Sequence, residues 1–170
     1  VMRDLPKTTC FMGVPTFYTR LLKHERLTKV ATKHMRLFVS GSAPLLAETH
    51  REFEGRTGHI ILERYGMTET NMIASNPFDG KRCAGTVGFA LPNVEVKIAD
   101  PATGQELPQG VDGMIEVRGP NVFQGYWRNP EKTKEDKRAD GFFITGDLGR
   151  IDADGYLVIS GRAKDLIITG

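Results

Sequence analysis

Ile60-Ile61-Leu62-Glu63-Arg64-Tyr65-Gly66-Met67-Thr68-Glu69-Thr70 is the stretch from which the fold is read. Its apolar start predicts a short buried strand over 60–65. Gly66 permits a sharp turn close to a ligand. Thr68, Glu69 and Thr70 then offer a hydroxyl, a carboxylate and a hydroxyl in succession, and Asn71-Met72-Ile73-Ala74 is expected to open a helix. Such an arrangement suits a phosphate and its metal. Backbone N–H groups at a helix start favour anions, a threonine hydroxyl bonds a phosphate oxygen, and a glutamate holds Mg²⁺. More plainly, the same residues make a strand-to-helix turn with Thr68 as N-cap. The octapeptide Glu63 to Thr70 does not by itself separate the two.

Upstream, strand and helix alternate. Thr8 to Val14 reads as a buried strand stopped by Pro15, which sits well in a first helical turn. Phe17, Leu21 and Leu22 have helical spacing over 16–24, and a more polar helix is expected over 27–33. Met35 to Ser40 is the next strand, ended by Gly41-Ser42-Ala43-Pro44, and Leu45 to Arg56 is an amphipathic helix stopped near Gly58. This order predicts an α/β layer with parallel strands. Two glycine turns then lie at the carboxyl ends of neighbouring strands, the edge where open α/β sheets bind ligands.

Downstream of Gly85 the helical period disappears. Val94 to Ile98 and Met114 to Arg118 alternate, with turn signals at Asp100-Pro101, Thr103-Gly104, Gln109-Gly110 and Asp112-Gly113 between them. Further strands are expected over 142–144 and 149–151, with a hairpin at Asp154-Gly155 returning along Tyr156 to Ile159. Asn129 to Lys134 is a charged excursion expected to form a short surface helix. The downstream part is therefore expected to be an antiparallel, barrel-like β subdomain.

Composition narrows the classes. Of 170 residues, 39% are hydrophobic and 26% charged, a globular balance. The net charge is +2 and the cations are scattered, so nucleic acid is not an expected partner. No apolar run is long enough for a membrane span. Cys10 and Cys83 make no metal or redox motif, and with no signal peptide at the start they fit a reduced, cytoplasmic setting. His24, His34, His50 and His59 lack metal-ligand spacing and are expected to be surface or satisfied side chains. The opening at Val1 and the stop after Leu166-Ile167-Ile168 suggest a piece of a longer protein.

Thr145-Gly146-Asp147-Leu148-Gly149 reads as a second tight turn ending a strand. Asp147 is suited to accept two hydrogen bonds from a vicinal diol such as a ribose; an Asx turn explains it equally simply. Arg162, in Gly161-Arg162-Ala163-Lys164-Asp165, is either a ribose or phosphate donor or part of a surface charge cluster. Taken in order, these motifs with Gly85-Thr86-Val87-Gly88 and Gly125-Tyr126-Trp127 form a pattern. It resembles the adenylate-forming superfamily of acyl-CoA synthetases, luciferases and peptide-synthetase adenylation domains, over nearly the whole chain. Gly13-Val14-Pro15-Thr16-Phe17-Tyr18-Thr19-Arg20-Leu21-Leu22 makes it most similar to bacterial malonyl-CoA synthetases.

The resemblance implies an acid–CoA ligase that uses ATP, Mg²⁺ and coenzyme A to activate a small carboxylic acid. It implies that Gly41, Ser42, Ala43 and Pro44 lie beside the adenine and that Tyr65 stacks on it. Glu63 and Arg64 belong to the same nucleotide site, and Gly66 and Met67 line the way to the acyl group. Thr68 would bond the phosphate, Glu69 would hold Mg²⁺, and both would act in catalysis. Asp147 would bind the ribose hydroxyls, Arg162 would support them, and Lys164 would be a hinge. Arg20 would pair with the unreacted carboxylate of malonate. The implied division is 1–88 for nucleotide and acyl binding, 89–163 for the β-barrel-like subdomain, and 164–170 for the hinge and the start of a C-terminal domain. The family's Ser/Thr/Gly-rich phosphate loop is expected upstream and its catalytic lysine downstream, so the fragment alone is expected to be inactive. The alternatives are a synthetase for a medium-chain or aryl acid, or a non-catalytic nucleotide-binding fragment.

Overall fold

The computed structural model describes Met2 and residues 4–165, and the part of the expected hinge segment from 166 onward lies outside them. Two compact units divide the chain, Val1–Tyr65 with Ser75–Gly88, and Gly66–Ala74 with Phe89–Gly170.

The first unit starts with strand β1, Cys10–Gly13. Pro15 is the first residue of helix α1, Pro15–Leu22, as its fixed φ and missing N–H favour. Tyr18, Leu21 and Leu22 are its buried residues, spaced three and four apart on one face. Helix α2 is reduced to Lys29–Thr32, where the Thr28 hydroxyl accepts from the Ala31 N–H at 3.2 Å. Strand β2, Leu37–Ser40, runs parallel to β1 in a register from Cys10↔Leu37 to Gly13↔Ser40. Helix α3, Ala47–Thr57, ends at Gly58 in the left-handed conformation. Strand β3, Leu62–Met67, continues the parallel set through Val39↔Leu62 and Ser40↔Glu63. Parallel strands joined by helices give the α/β layer that the sequence predicts.

Aromatic rings fill the core between these helices and strands. Phe53 meets Tyr18 edge-on at 5.3 Å and Phe38 at 4.9 Å between centroids. Tyr18 is fully buried, and its hydroxyl donates to the Val39 carbonyl at 2.7 Å, so burial leaves no polar atom unpaired there. Truncating Phe53 to Ala would cost about 3–5 kcal/mol.

Residues 71–74 do not open a helix. They belong to strand β4, Asn71–Ser75. The Thr70 N–H donates to the Met67 carbonyl at 3.2 Å, which closes a β-turn. Asn71 follows at φ 50°, outside helical backbone, and sends the chain back along β3. Ile73 and Ala74 are then fully buried, and the Ile73 carbonyl accepts the Leu91 N–H at 2.9 Å. Gly66 makes the return possible. A Cβ there would stand 2.0 Å from the Asn71 carbonyl oxygen. Phe89–Ala90 (β5) completes the strand order β1-β2-β3-β4-β5.

The second sheet is antiparallel, in the order β6-β7-β8-β9. Its strands are Glu95–Ala99 (β6), Gly113–Arg118 (β7), Phe143–Ile151 (β8) and Leu157–Arg162 (β9). Helix α4, Pro130–Glu135, is the expected short helix, with the Asn129 side chain accepting from the Lys132 N–H. Where two strands and a tight turn are expected over 142–151, β8 runs unbroken. Gly146, at φ 76°, lies in a bulge against β7, where residues 145–147 stand opposite Ile115 and the register shifts between Met114 and Glu116. On β7, Glu116 is fully buried. Arg138 pairs with its Oε1 at 2.9 Å, and Lys97 stands 3.3 Å from Oε2 without hydrogen-bond geometry.

Candidate functional site

In the first unit the expected nucleotide-site residues gather at the carboxyl ends of β2 and β3. Gly41 lies against Arg64, whose Cγ would be 3.3 Å from a Cβ on that glycine. Ser42 takes φ 66°, and Ser42, Ala43 and Pro44 are exposed. Tyr65 is 7% exposed, so most of its ring is already packed. Glu63 is buried, and its Oε1 lies 2.8 Å from His50 Nδ1 on α3. Its carbonyl accepts the Asn76 N–H at 2.9 Å. Both partners of Glu63 lie in the first unit. Arg20 is exposed in the last turn of α1.

In the second unit, Gly66 and Met67 lead into the β3–β4 turn, and Thr68 and Glu69 stand at its tip. Thr68 is exposed and Glu69 half-buried. The tip is tied down by a distant segment. The Phe123 N–H donates to the Glu69 carbonyl at 2.8 Å. Asn121 Nδ2 donates to the Thr70 and Met72 carbonyls at 2.7 and 3.3 Å. The Tyr126 hydroxyl lies 3.2 Å from Glu69 Oε1 and 3.2 Å from Asp136 Oδ2. Burial first, then the two carboxylates, pushes the Tyr126 phenol up to about 12, so it remains a donor at neutral pH.

Among the described residues no group of three or more His, Cys, Asp or Glu side chains could hold a metal. A lone oriented carboxylate fits Mg²⁺ nonetheless, since that ion is usually held by one or two carboxylates together with substrate phosphates and water.

The same unit brings Asp147 and Arg162 together. They face each other in the β8–β9 register, with Arg162 Nε 3.2 Å from Asp147 Oδ1. Asp147 is buried while the guanidinium side chain is two-thirds exposed. Asp147 is thus a mid-strand carboxylate whose backbone N–H donates to Thr145 Oγ1 at 3.1 Å. Lys164 is exposed in a single 3₁₀ turn, Ala163–Asp165, directly after β9.

Residues 3–127 match the family model described as AMP-binding enzyme. The chain belongs to the AMP-binding enzyme family. Its similarity to solved members is high. Over 99% of its length it matches the ATP-bound MatB of Rhodopseudomonas palustris, with 66% identity and a TM-score of 0.97, covering 34% of that chain. A malonyl-CoA ligase solved as a ternary product complex with methylmalonyl-CoA and AMP matches 95% of the chain at 41% identity and a TM-score of 0.84, over 35% of its own length. The malonate–CoA ligase of Arabidopsis thaliana is 48% identical over 95% of the chain and 28% of the plant protein. The chain therefore spans about a third of the length of these relatives. Family membership agrees with the resemblance seen in the sequence, as does the mixed sheet followed by an antiparallel one.

Several residues that build the site escape a reading of the sequence. His50 carries no local sign of its buried partner on β3. Asn121 and Tyr126 reach back 51 and 57 residues to the hairpin. Only the Gly125-Tyr126-Trp127 motif marks the second of them.

Proposed function

We propose that this chain is the nucleotide- and acyl-binding part of an ATP-dependent acid–CoA ligase whose acid is malonate. The observation that carries the proposal is the hairpin tip. It holds a carboxylate and a hydroxyl side by side on a turn fixed by Phe123, Asn121 and Tyr126. The likeness to malonate–CoA and malonyl-CoA ligases supports the choice of acid.

In the first half-reaction a malonate carboxylate oxygen attacks the α-phosphorus of ATP. The bond from that phosphorus to the bridging oxygen breaks, and pyrophosphate leaves. In the second, the coenzyme A sulfur attacks the acyl carbon. The thiol proton passes to solvent, the bond from the acyl carbon to the AMP oxygen breaks, and AMP leaves. Such chemistry depends on in-line placement and charge neutralisation more than on covalent help from the protein. Thr68 donates its hydroxyl to a phosphate oxygen. Glu69 holds Mg²⁺, which when bound neutralises phosphate charge. Tyr65 with Gly41–Pro44 takes the adenine, and Asp147 takes the ribose hydroxyls while Arg162 steadies that carboxylate. Arg20 pairs with the carboxylate of malonate that does not react, since leaving that group buried and unpaired would be costly. Lys164 serves as the hinge. A reduced, cytoplasmic setting suits the two free cysteines, Cys10 and Cys83.

The test is acid-dependent pyrophosphate release by the full-length parent protein, offered malonate, methylmalonate, acetate, octanoate and 4-coumarate with ATP and Mg²⁺. Malonate is expected to give the highest kcat/KM, and Arg20→Leu to abolish malonate use while ATP still binds. Preference for octanoate or 4-coumarate would reject malonate. Release with none of the acids would reject the ligase.

A further inference from the structure

The motif Gly125-Tyr126-Trp127 takes no part in the chemistry assigned above, yet it leads straight to the residue assigned to the metal. Four observations within the second unit converge on Tyr126. First, its hydroxyl lies 3.2 Å from Glu69 Oε1. Second, its position is fixed from several sides. The Tyr126 N–H donates to Thr133 Oγ1 at 2.9 Å, and its ring packs edge-on against Phe123 at 4.8 Å. Phe123 in turn packs on Phe143 of β8 at 5.5 Å. Third, Gly125 admits α4 to this position, because a Cβ there would stand 2.7 Å from Thr133 Cγ2.

The fourth observation concerns the proton. A phenol has one hydrogen to give, and two carboxylates stand at equal distance from it. Their surroundings differ. Asp136 Oδ1 already has the Lys132 ammonium at 2.7 Å, four residues back on α4. With its charge matched there, Asp136 competes weakly for the phenol hydrogen. The hydrogen is then directed to Glu69. A carboxylate oxygen held by a fixed donor leaves its other oxygen in a set direction, which is how groups behind a ligand orient it toward a metal.

We infer that Tyr126 is a positioning residue for metal binding, holding the Glu69 carboxylate in place through its hydroxyl, with the Lys132–Asp136 pair setting where the phenol hydrogen points. This rests on the assignment of Glu69 to Mg²⁺, and the test separates the two. Mn²⁺ is titrated onto the full-length protein bound to α,β-methylene ATP, and its binding is followed by its EPR signal. Tyr126→Phe keeps the ring and removes the hydroxyl. It is expected to weaken Mn²⁺ binding by roughly tenfold, at the lower end of what loss of such a supporting group costs. The apparent KM for Mg²⁺ in pyrophosphate release should rise by a similar factor, and kcat should recover at saturating Mg²⁺. Lys132→Met leaves Asp136 uncompensated and should give a smaller loss in the same direction. Adding Asp136→Asn to Lys132→Met should restore binding.

Tyr126→Phe within twofold of wild type, with Glu69→Gln losing tenfold or more, would overturn the role of Tyr126 and leave the metal assignment standing. A fall in kcat that Mg²⁺ cannot rescue, at unchanged Mn²⁺ affinity, would also overturn it, because that is the signature of a packing role. Unchanged Mn²⁺ binding in Glu69→Gln would remove the metal assignment and this inference with it.

Discussion

Gly66→Ala offers a direct test of the hairpin geometry. The added methyl would stand 2.0 Å from the Asn71 carbonyl oxygen, 2.6 Å from Met72 Cε and 2.9 Å from the Asn71 carbonyl carbon. The methionine end can swing aside, but the backbone of Asn71 cannot, since its φ of 50° is what turns the chain. Reaching even a tight contact requires β4 to retreat by about 1 Å. Thr68 and Glu69 lie on the turn between the two displaced strands and must move with it. A misplacement of about 1 Å can cost roughly 100-fold in rate, or about 2.7 kcal/mol of transition-state stabilisation. Overpacking of this kind lowers stability by about 1–3 kcal/mol, which leaves most domains folded. The assay is kcat/KM for malonate-dependent pyrophosphate release by the full-length protein, read beside a thermal melt. We expect a fall of about 100-fold with the cooperative melt retained. Activity within threefold of wild type would refute the claim that close approach at Gly66 sets the positions of Thr68 and Glu69.

Two further predictions concern the antiparallel sheet. Arg138→Met leaves the buried Glu116 with only the poorly aligned Lys97. Breaking a buried pair costs about 3–5 kcal/mol; because Lys97 remains and Arg138 is partly exposed, we expect about 2 kcal/mol. Amide exchange in β6–β9 should then quicken by roughly 30-fold, and Glu116→Gln added to Arg138→Met should reverse most of it. Unchanged exchange would sink the prediction. Acid should loosen the same sheet. The Arg118 hydrogen bond holds Glu95 below the usual carboxylate range, the Lys97 hydrogen bond does the same for Asp140, and the Thr103 backbone N–H for Asp100. Groups depressed in the folded state stabilise it above their unfolded pKa of about 4, and that contribution is lost as pH falls through their folded values. The loss should therefore appear below about pH 4, and Glu95→Gln with Asp140→Asn should flatten it. An identical acid profile in that variant would refute the assignment.

The parallel strands, α1, α3 and α4 were legible because their signals are local. Apolar runs, helical spacing, Pro15 and Gly58 each act within a turn or two of chain. Residues 71–74 mislead, because a polar triplet followed by Asn71 looks like a helix start. What decides that backbone is the missing side chain at Gly66 and the burial of Ile73 and Ala74, and neither is visible in a window of ten residues. Gly146 misleads as well, because a positive φ can mean a turn or a bulge inside a strand. Pairing with β7 on both sides of it, Glu116↔Ile144 and Met114↔Leu148, selects the bulge. Pairing of Asp147 with Arg162 and of His50 with Glu63 depends on register and packing, so the residue types suggest their chemistry without their neighbours.

The hairpin tip also has a place in time. Its ties come from Asn121 and Tyr126, 51 and 57 residues downstream of the groups they hold. Contacts across such a span pay their loop-closure entropy before they reward it, and they form after the local helices and the neighbouring parallel pairing. Pulse-labelled exchange during refolding should find the amides of residues 68–70 protected later than those of β1 and β2; simultaneous protection would contradict this order. During synthesis, Glu69 leaves the ribosome long before the segment that holds it. A nascent chain would thus complete its first unit before the hairpin tip is tied, and protection of the amides of residues 68–70 would report that residues 119–126 have docked.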